Sequence, residues 1–129
     1  MEKKMKNLGV MVDCSRDACY KAEAVENFID VIARLGYNVL MLYTEDTYAL
    51  DGEPYFGYMR GRYGKEEWKR LDAYAKARGV ELIPCIQTLA HLGAVTRWQE
   101  YGEKCVDGND ILLVDQPETY ELIEKMFRW

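Results

Sequence analysis

The stretch "LGVMVD", residues 8–13, is a short apolar run that ends in a carboxylate. A run of this length with so few polar residues is typical of a strand buried on both faces of a parallel sheet. Two later runs have the same character: "NVLMLY" at 38–43, which leads into the polar residues "TED", and "VELIPCI" at 80–86. The sequence therefore predicts three buried strands, the first two of which end in acidic residues.

Amphipathic helices are predicted between these strands. In "KAEAVENFIDVIARLG", residues 21–36, apolar residues recur at three- and four-residue spacing from Val25 to Leu35. Gly36 stands where a helix commonly ends on a left-handed residue. The segment "KEEWKRLDAYAKARG", residues 65–79, repeats this pattern and also stops at a glycine. Each helix would pack by one face against the sheet.

The remaining segments are less regular. "TYALDGEPYFGYMRGRYG", residues 47–64, contains four Gly, one Pro and four Tyr and has neither helical nor strand periodicity, which predicts a loop of functional length. Residues 87–110 are mixed in character, and "LGAVTRWQEYG" within them is compatible with a short helix. Asp115 is the expected N-cap, and Pro117 the first-turn residue, of a last helix that runs to the end of the sequence.

The order of these elements indicates the fold class. Strand, helix, strand, loop, helix and strand in succession build a parallel sheet with helices outside it, an α/β fold. Strand starts about 30 and then about 40 residues apart suit βα units of a barrel or of an open doubly wound sheet. No glycine-rich phosphate loop follows the first strand, which disfavours a nucleotide-binding sheet. We expect residues 1–129 to form a single partial domain, about half of a TIM (β/α)8 barrel.

Composition and charge exclude several kinds of partner. The net charge is −5, from 22 acidic and 17 basic residues, and the only basic cluster is the opening "EKKMK". Nucleic acid and anionic membranes are therefore not expected to bind. No apolar run approaches the roughly 18–20 residues that cross a bilayer, and the N-terminal residues lack a secretory signal pattern. A cytoplasmic location is the expectation.

Cysteine and histidine usage argues against a metal site. Cys14, Cys19, Cys85 and Cys105 include no CxxC pair, and His91 is the only histidine. A structural zinc set draws on closely spaced Cys and His ligands, which this pattern does not offer. We expect free, mostly buried thiols and neither a metal nor another cofactor.

Polar residues cluster where the predicted strands end. Because ligands of parallel α/β folds bind at the carboxyl ends of the strands, these residues are the candidates for a site. They are Asp13, Arg16, Glu45, Asp46, Gln87 and His91. Taken singly, Asp13 and Arg16 could simply pair with each other, Asp46 could cap a turn, and His91 could be a structural histidine. Together they place carboxylates, a guanidinium and an imidazole at one end of three successive strands.

Three segments that carry these residues resemble one enzyme family. "VMVDCSRD" (10–17) looks like the first-strand motif Asp-x-Ser-Arg of glycoside hydrolase family 20, the β-N-acetylhexosaminidases. "NVLMLYTEDTY" (38–48) is similar to that family's second-strand segment, which ends in two acidic residues. "ELIPCIQTLAHLGAV" (81–95) is similar to its Ile-Pro-Glu-Ile-Asp-x-Pro-Gly-His stretch. The resemblance spans residues 8–97 and implies release of terminal N-acetylhexosamine from glycans.

The resemblance also implies roles for individual residues. Arg16 would donate hydrogen bonds to hydroxyls of the terminal sugar, a task suited to its planar guanidinium, with Asp13 and Asp46 as further substrate-binding residues. Glu45 and His91 would form a supporting catalytic relay, in which His91 links Glu45 to the catalytic acid and helps to set that acid's orientation and pKa.

The sequence departs from the family pattern in several places. Glu45 replaces the usual Asp, Cys85 and Gln87 replace the usual Glu and Asp, and Leu89-Ala90 replace Pro-Gly. In the family, an adjacent Asp-Glu pair after strand 4 performs the chemistry: the Asp steers the substrate's acetamido group as nucleophile, and the Glu is the acid/base. No such pair follows His91. We expect a truncated enzyme, inactive as this chain alone.

Two other functions stay open at this stage. One is a barrel hydrolase that uses Glu45 and Asp46 directly, although adjacent residues of a strand point to opposite sides. The other is a non-catalytic module that binds sugar through Arg16 and the loop tyrosines, or that assembles with itself. Because a half barrel leaves unpaired strand edges, a homo-oligomer is expected in either case.

Overall fold

The computed structural model describes residues 6–106 and 110–129. Over these residues the chain alternates strands and helices in the order expected of βα units. The elements are β1 (Gly9–Asp13), α1 (Ala22–Arg34), β2 (Val39–Glu45), α2 (Lys65–Lys76), β3 (Glu81–Ile86), α3 (Gly93–Thr96), a 3-10 segment (Gln99–Lys104), β4 (Cys105–Val106), β5 (Ile111–Leu112) and α4 (Pro117–Arg128).

The main sheet is parallel, with the order β1-β2-β3. Its register aligns Met11 with Met41 and Met41 with Ile83, so that odd-numbered residues of the three strands share one face. The ladder between β2 and β3 is interrupted between Tyr43 and Glu45, at the carboxyl end of the sheet. This architecture is a half-barrel-like α/β fold and confirms the predicted fold class.

The two faces of the sheet have different surroundings. Leu40, Leu42 and Leu82 are buried against α1 and α2, whose apolar positions Val25 and Leu71 belong to the same core. On the opposite face, which would line the interior of a closed barrel, Met11 of β1 is 53% exposed. α1 ends as predicted: Gly36 has a φ of +85°, which a residue with a side chain rarely adopts.

The long loop between β2 and α2 packs into a second apolar core, which it shares with the C-terminal elements. Tyr48 and Phe56 are buried, and they belong to a second apolar cluster with Leu92, Leu122 and Met126 from later elements. The loop's ends are tied together by hydrogen bonds from Ala49 N to Tyr63 O and from Tyr63 N to Thr47 O. The predicted loop is therefore a packed structure rather than a loose connection.

Several local predictions differ from the structure. The N-cap of α4 is Gln116, while Asp115 has a φ of +63° and lies one residue too early to cap the helix. The antiparallel pair β4–β5 was not predicted, because strands of two residues are too short to show a period. All four cysteines are free, but only Cys14 is fully buried. Within residues 6–106 and 110–129, no helix has the length and apolar character to span a membrane.

Candidate functional site

The carboxyl ends of β1, β2 and β3 meet at a small polar cleft of about 250 Å³. The residues that line it come from the turn after β1, the end of β2, the long loop, the segment around α3 and the position before β5. They are Ser15, Arg16, Glu45, Arg60, His91, Gly93, Ala94 and Asp110. Ligand pockets commonly measure roughly 300–1,000 Å³, so this cleft has the size of part of a binding site. Three of the residues predicted from strand ends, Arg16, Glu45 and His91, lie on it.

The turn after β1 is organised by Asp13. Its carboxylate accepts hydrogen bonds from the backbone N–H of Ser15 at 2.8 Å and from Ser15 Oγ at 2.7 Å. Such an Asx turn fixes the backbone that leads into Arg16. Partial burial alone would raise the pKa of Asp13, but the hydrogen bonds from Ser15 and the charge of Arg16 outweigh it and hold the pKa below its usual value. The direct Asp13–Arg16 ion pair is long, at 3.9 Å.

Arg16 is held in place chiefly by Glu45. Its Nη1 donates to Glu45 Oε1 at 2.8 Å and to Ser15 Oγ at 3.1 Å. The Glu45 side chain is only 7% exposed, whereas that of Arg16 is 64% exposed. The bond to Glu45 and its negative charge raise the pKa of Arg16. A buried carboxylate thus anchors one side of a guanidinium that otherwise reaches into solvent.

A hydrogen-bonded chain extends from Glu45 across to β3. Tyr43 donates its hydroxyl to Glu45 Oε1 at 3.0 Å and accepts a hydrogen bond from Gln87 Nε2 at 2.8 Å. Burial raises the pKa of Tyr43, and the adjacent Glu45 carboxylate adds to this, so the phenol remains a proton donor. These hydrogen bonds link residues at the carboxyl ends of all three strands, and they hold in place the Glu45 carboxylate that binds Arg16.

Asp46 is bonded to residues of the long loop rather than to Arg16. Its carboxylate accepts hydrogen bonds from Arg60 Nη2 and from the backbone N–H of Gly57, the latter at 3.1 Å. Arg60 Nη1 also donates to the carbonyl of Ser15, in the turn that carries Arg16. The Asp46 side chain is 2% exposed. The two adjacent carboxylates therefore have separate ion-pair partners, Arg16 for Glu45 and Arg60 for Asp46.

His91 lies on the cleft but does not form the expected hydrogen bond to Glu45. Its side chain is exposed and makes no hydrogen bond or ion pair with any residue in the described part of the chain, while Glu45 is already bonded by Arg16 and Tyr43. The φ of His91 is +59°, in the left-handed region. The role of His91 in a catalytic relay stays a prediction.

The segment that carries His91 is attached to the residues around β5. Gly93 N–H donates to the Asp110 carboxylate at 2.9 Å, and Leu112 N–H donates to the carbonyl of Leu89 at 2.8 Å. A Cβ added at Gly93 would lie 3.2 Å from an oxygen of Asp110, so this approach is close. Asp110 thereby fixes the position of the segment beside the cleft.

Sequence reasoning missed several residues of the site. The sequence contains no motif that points to Tyr43, Arg60 or Asp110. Tyr43 lies inside a strand, Arg60 in the irregular loop and Asp110 in the mixed segment before β5. Tyr43 did carry a weak signal, since it lies two residues before Glu45 and side chains two apart in a strand share a face. Arg60 and Asp110 are identified only by their contacts.

Comparison with known proteins identifies the family. The model of the glycosyl hydrolase family 20 catalytic domain matches residues 7–128. Among solved structures, the N-acetyl-β-hexosaminidase of Streptomyces plicatus is 27% identical, with a TM-score of 0.77 over 92% of this chain. The family 20 β-N-acetylhexosaminidase of Streptomyces coelicolor A3(2) is 26% identical, with a TM-score of 0.76 over 92% of this chain. This chain covers 28% of each of those two proteins.

A more distant structure shares the fold. The family 20 exo-β-N-acetylglucosaminidase of Vibrio harveyi is 19% identical and has a TM-score of 0.81 over 95% of this chain, which covers 25% of that protein. No match was found among curated proteins. The family model covers nearly the whole sequence, and the structures repeat its α/β architecture. The chain belongs to glycosyl hydrolase family 20, of whose solved hexosaminidases it spans about a quarter.

Proposed function

We propose that this chain contributes one wall of a site for the terminal N-acetylhexosamine of a glycan, in a hydrolase of family 20. The family membership and the hexosaminidase names of the similar structures support the reaction class. The cleft at the carboxyl ends of β1–β3 supports the location, because barrel enzymes bind their substrates at this end. Its small volume suits a wall of the site rather than the entire pocket.

The observation that carries the proposal is the position of Arg16. A guanidinium has five N–H donors in a rigid plane, and Nη1 of Arg16 is occupied by Glu45 and Ser15. With 64% of the side chain exposed on the cleft, the remaining donors are available to vicinal hydroxyls of a sugar. The Asp13 carboxylate, 44% exposed, can accept from a hydroxyl beside it.

Within this proposal the other predicted residues have different roles. Glu45 is a positioning residue that aims Arg16, and Asp46 supports the loop that carries Arg60 rather than touching the sugar. His91 contributes an exposed imidazole on the same cleft, ready to bond a carboxylate supplied by a later strand. The acid/base and the acetamido-steering residue have no counterpart at the ends of β1–β3, so we expect this chain alone to bind without cleaving.

Sugar binding provides the direct test. Chemical shifts of the 129-residue chain would be followed by NMR during titration with N-acetylglucosamine, comparing wild type with Arg16→Ala. Because hydrogen bonds to a charged group contribute about 1.5–3 kcal/mol, the substitution should weaken binding by roughly tenfold or more. Arg128→Ala removes an arginine that is 77% exposed and paired with Glu124 on α4, and it should leave binding unchanged. Equal affinities for wild type and Arg16→Ala would contradict the proposal.

The rival hydrolase that uses Glu45 and Asp46 directly makes a different prediction for turnover. General acid catalysis alone contributes about 10²–10⁴-fold in rate, so a chain without the acid/base should not release measurable phenol from aryl N-acetylhexosaminides. Hydrolysis by the purified chain that disappears in Glu45→Gln would favour the rival. The separate partners of Glu45 and Asp46 argue against it, since one substrate would not meet both carboxylates.

A further inference from the structure

Glu45 lies at a strained position of β2. Its φ is +51°, a left-handed value that a residue with a side chain rarely adopts. From Tyr43 to Glu45, β2 advances two residues while β3 advances one, which is a β-bulge. Bulges re-aim side chains at strand ends, and strained backbone persists only where its surroundings hold it. The groups that bond the Glu45 carboxylate therefore determine where it points.

Two donors share one oxygen of this carboxylate. Arg16 Nη1 and the Tyr43 hydroxyl lie 2.8 and 3.0 Å from Glu45 Oε1. Arg16 also lies over the Tyr43 ring, with its Cζ 5.9 Å from the ring centroid, which is within the range of a cation–π contact. Tyr43 thus contacts both members of the Arg16–Glu45 pair, so its position affects how Arg16 reaches the cleft.

Gln87 determines the direction in which the Tyr43 hydroxyl donates. A phenol has one proton, and an ionised carboxylate can only accept. Tyr43 therefore donates its proton to Glu45, and its oxygen accepts the bond from Gln87 Nε2, at 2.8 Å. Position 87 is one at which the sequence departs from the family pattern, with an amide in place of an acid. An ionised acid there could not donate, and it would compete with Glu45 for the single Tyr43 proton.

We propose that Gln87 is a positioning residue of the sugar site: by donating to Tyr43, it directs the tyrosine proton to Glu45 and so holds Arg16 in the orientation that binds the sugar. The role of Gln87 rests on the proposed function, because Arg16 must be the residue that binds the sugar. Arg16 and Glu45 line the cleft, and Gln87 acts on them through Tyr43.

Other titratable and charged groups surround these hydrogen bonds. An isosteric Gln87→Glu exchange alters none of them, so their own titrations cancel when the variant and the wild type are compared at the same pH. They are Asp13 and Arg16 from the turn after β1, Asp46 beside Glu45, Arg60 from the long loop, Cys85 opposite Tyr43 in β3, and His91 and Asp110 on the cleft.

The pH dependence of Gln87→Glu tests the proposal. Affinity for N-acetylglucosamine would be measured by NMR titration of the 129-residue chain. When protonated, the introduced carboxyl can donate to Tyr43 as the amide does, and when ionised it cannot. Because the nearby Glu45 carboxylate disfavours a second negative charge, the introduced carboxyl should ionise above the usual pKa of Glu, about 4.3. The affinity of the variant should therefore fall as the pH rises.

The expected size of the effect follows from one hydrogen bond. Gln87→Glu should approach the wild-type affinity at about pH 5 and bind roughly two- to tenfold more weakly at about pH 8, which corresponds to one net hydrogen bond. Tyr43→Phe, which keeps the ring but removes the hydroxyl, should weaken binding at both pH values, and adding Gln87→Glu to it should introduce no pH dependence. Gln99→Glu makes the same exchange at an exposed residue of the 3-10 segment and should follow the wild type.

A second readout needs no sugar. With tyrosine isotope-labelled at Cζ, the NMR signal of Tyr43 is assigned by its loss in Tyr43→Phe. In the free chain this signal should show, for Gln87→Glu, a titration step that the wild type and Gln99→Glu lack. Absence of that step would overturn the proposal, because the introduced carboxyl would then not compete for the Tyr43 proton.

The possible results distinguish the role of Gln87 from the proposed function. If the wild type binds no sugar, the proposed function fails and the role of Gln87 fails with it. If binding depends on Arg16 but Gln87→Glu weakens it equally at both pH values, or not at all, the proposed function stands and Gln87 has only a structural role. Wild-type affinity in Tyr43→Phe would overturn the role of Gln87 by itself, whatever Gln87→Glu does.

Discussion

At the scale of single residues, the site depends on how two adjacent carboxylates are paired. Glu45 and Asp46 are both almost fully buried, and a buried charge is tolerated only with a partner. Glu45 pairs with Arg16 and Asp46 pairs with Arg60, and both arginines line the cleft. They differ in exposure: 64% of the Arg16 side chain is exposed, whereas that of Arg60 is 19% exposed and also bonds the Ser15 carbonyl, so the second pair holds the turn after β1 and the long loop together.

Arg60 should be among the most important residues for stability. Its side chain is 19% exposed and joins Asp46 to the carbonyl of Ser15, so Arg60→Ala would leave a buried carboxylate without its counter-charge. Breaking a buried pair in this way costs about 3 kcal/mol or more. We expect urea denaturation to show this loss in the free energy of unfolding.

An exposed arginine provides the matched control for the buried ion pair. Arg128→Ala removes an arginine whose ion pair with Glu124 is exposed on both sides, and it should change stability by less than about 0.5 kcal/mol. Similar small effects for Arg60→Ala and Arg128→Ala would mean that the Asp46–Arg60 pair contributes nothing beyond an ordinary surface contact.

At the scale of elements, the long loop positions the site through its own tight backbone. Gly57 has a φ of +64°, and its N–H donates to Asp46. A Cβ at this position would lie 2.6 Å from the Cβ of Arg62 and 2.9 Å from the carbonyl oxygen of Gly61. The loop can therefore keep this tight backbone, from which Gly57 N–H bonds Asp46, only because residue 57 lacks a side chain.

Gly57→Ala should destabilise the protein and loosen the site. The left-handed conformation costs a residue with a side chain about 1–2 kcal/mol, and the two close contacts add to that cost. We expect a loss of at least about 2 kcal/mol in thermal or urea unfolding, together with weaker sugar binding. Gly102→Ala is the control, because a Cβ there meets no atom within 4 Å and the backbone is not left-handed. Equal stability of the two variants would contradict this account.

At the scale of the whole molecule, the sheet has open edges. In the described part of the chain, β1 and β3 each pair on one side only. Beside β1 lies an apolar groove of about 340 Å³, lined by Val12, Tyr20, Ala24, Val25, Phe28 and Leu42. Unpaired strand edges with apolar neighbours attract further strands.

We predict that the isolated chain associates into a dimer or a higher oligomer. Light scattering over a wide concentration range should show a mass above 15.0 kDa, the mass of one chain. Met11→Lys, which puts a charge on the open face of β1, should shift the chain toward the monomer because edge charges oppose pairing. Leu35→Lys, at a position 67% exposed beyond α1, should not. A stable monomer at all concentrations would refute the prediction.

The local elements were predictable because their signals are local. Each signal depends only on residues close together in the sequence: apolar runs of strand length, helical spacing in 21–36 and a glycine at position 36. In the structure, the ends of β1, α1 and β2 lie within a residue or two of the predicted ends. The parallel order followed from the alternation of strands and helices. The predicted N-cap of α4, Asp115, is one residue before the observed N-cap, Gln116, because capping depends on backbone angles that the residue types do not determine.

The α/β half-barrel fold, the strand ends that carry the candidate site and the family motifs around Arg16, Glu45 and His91 could all be predicted from the sequence. Which of these side chains contact one another became known from the structure alone. Arg16 bonds Glu45 across 29 residues, and Gln87 bonds Tyr43 across 44, rather than His91 bonding Glu45. Such contacts depend on the register between strands and on where the long loop packs. Neither of these produces a periodic pattern of apolar residues from which it could be predicted.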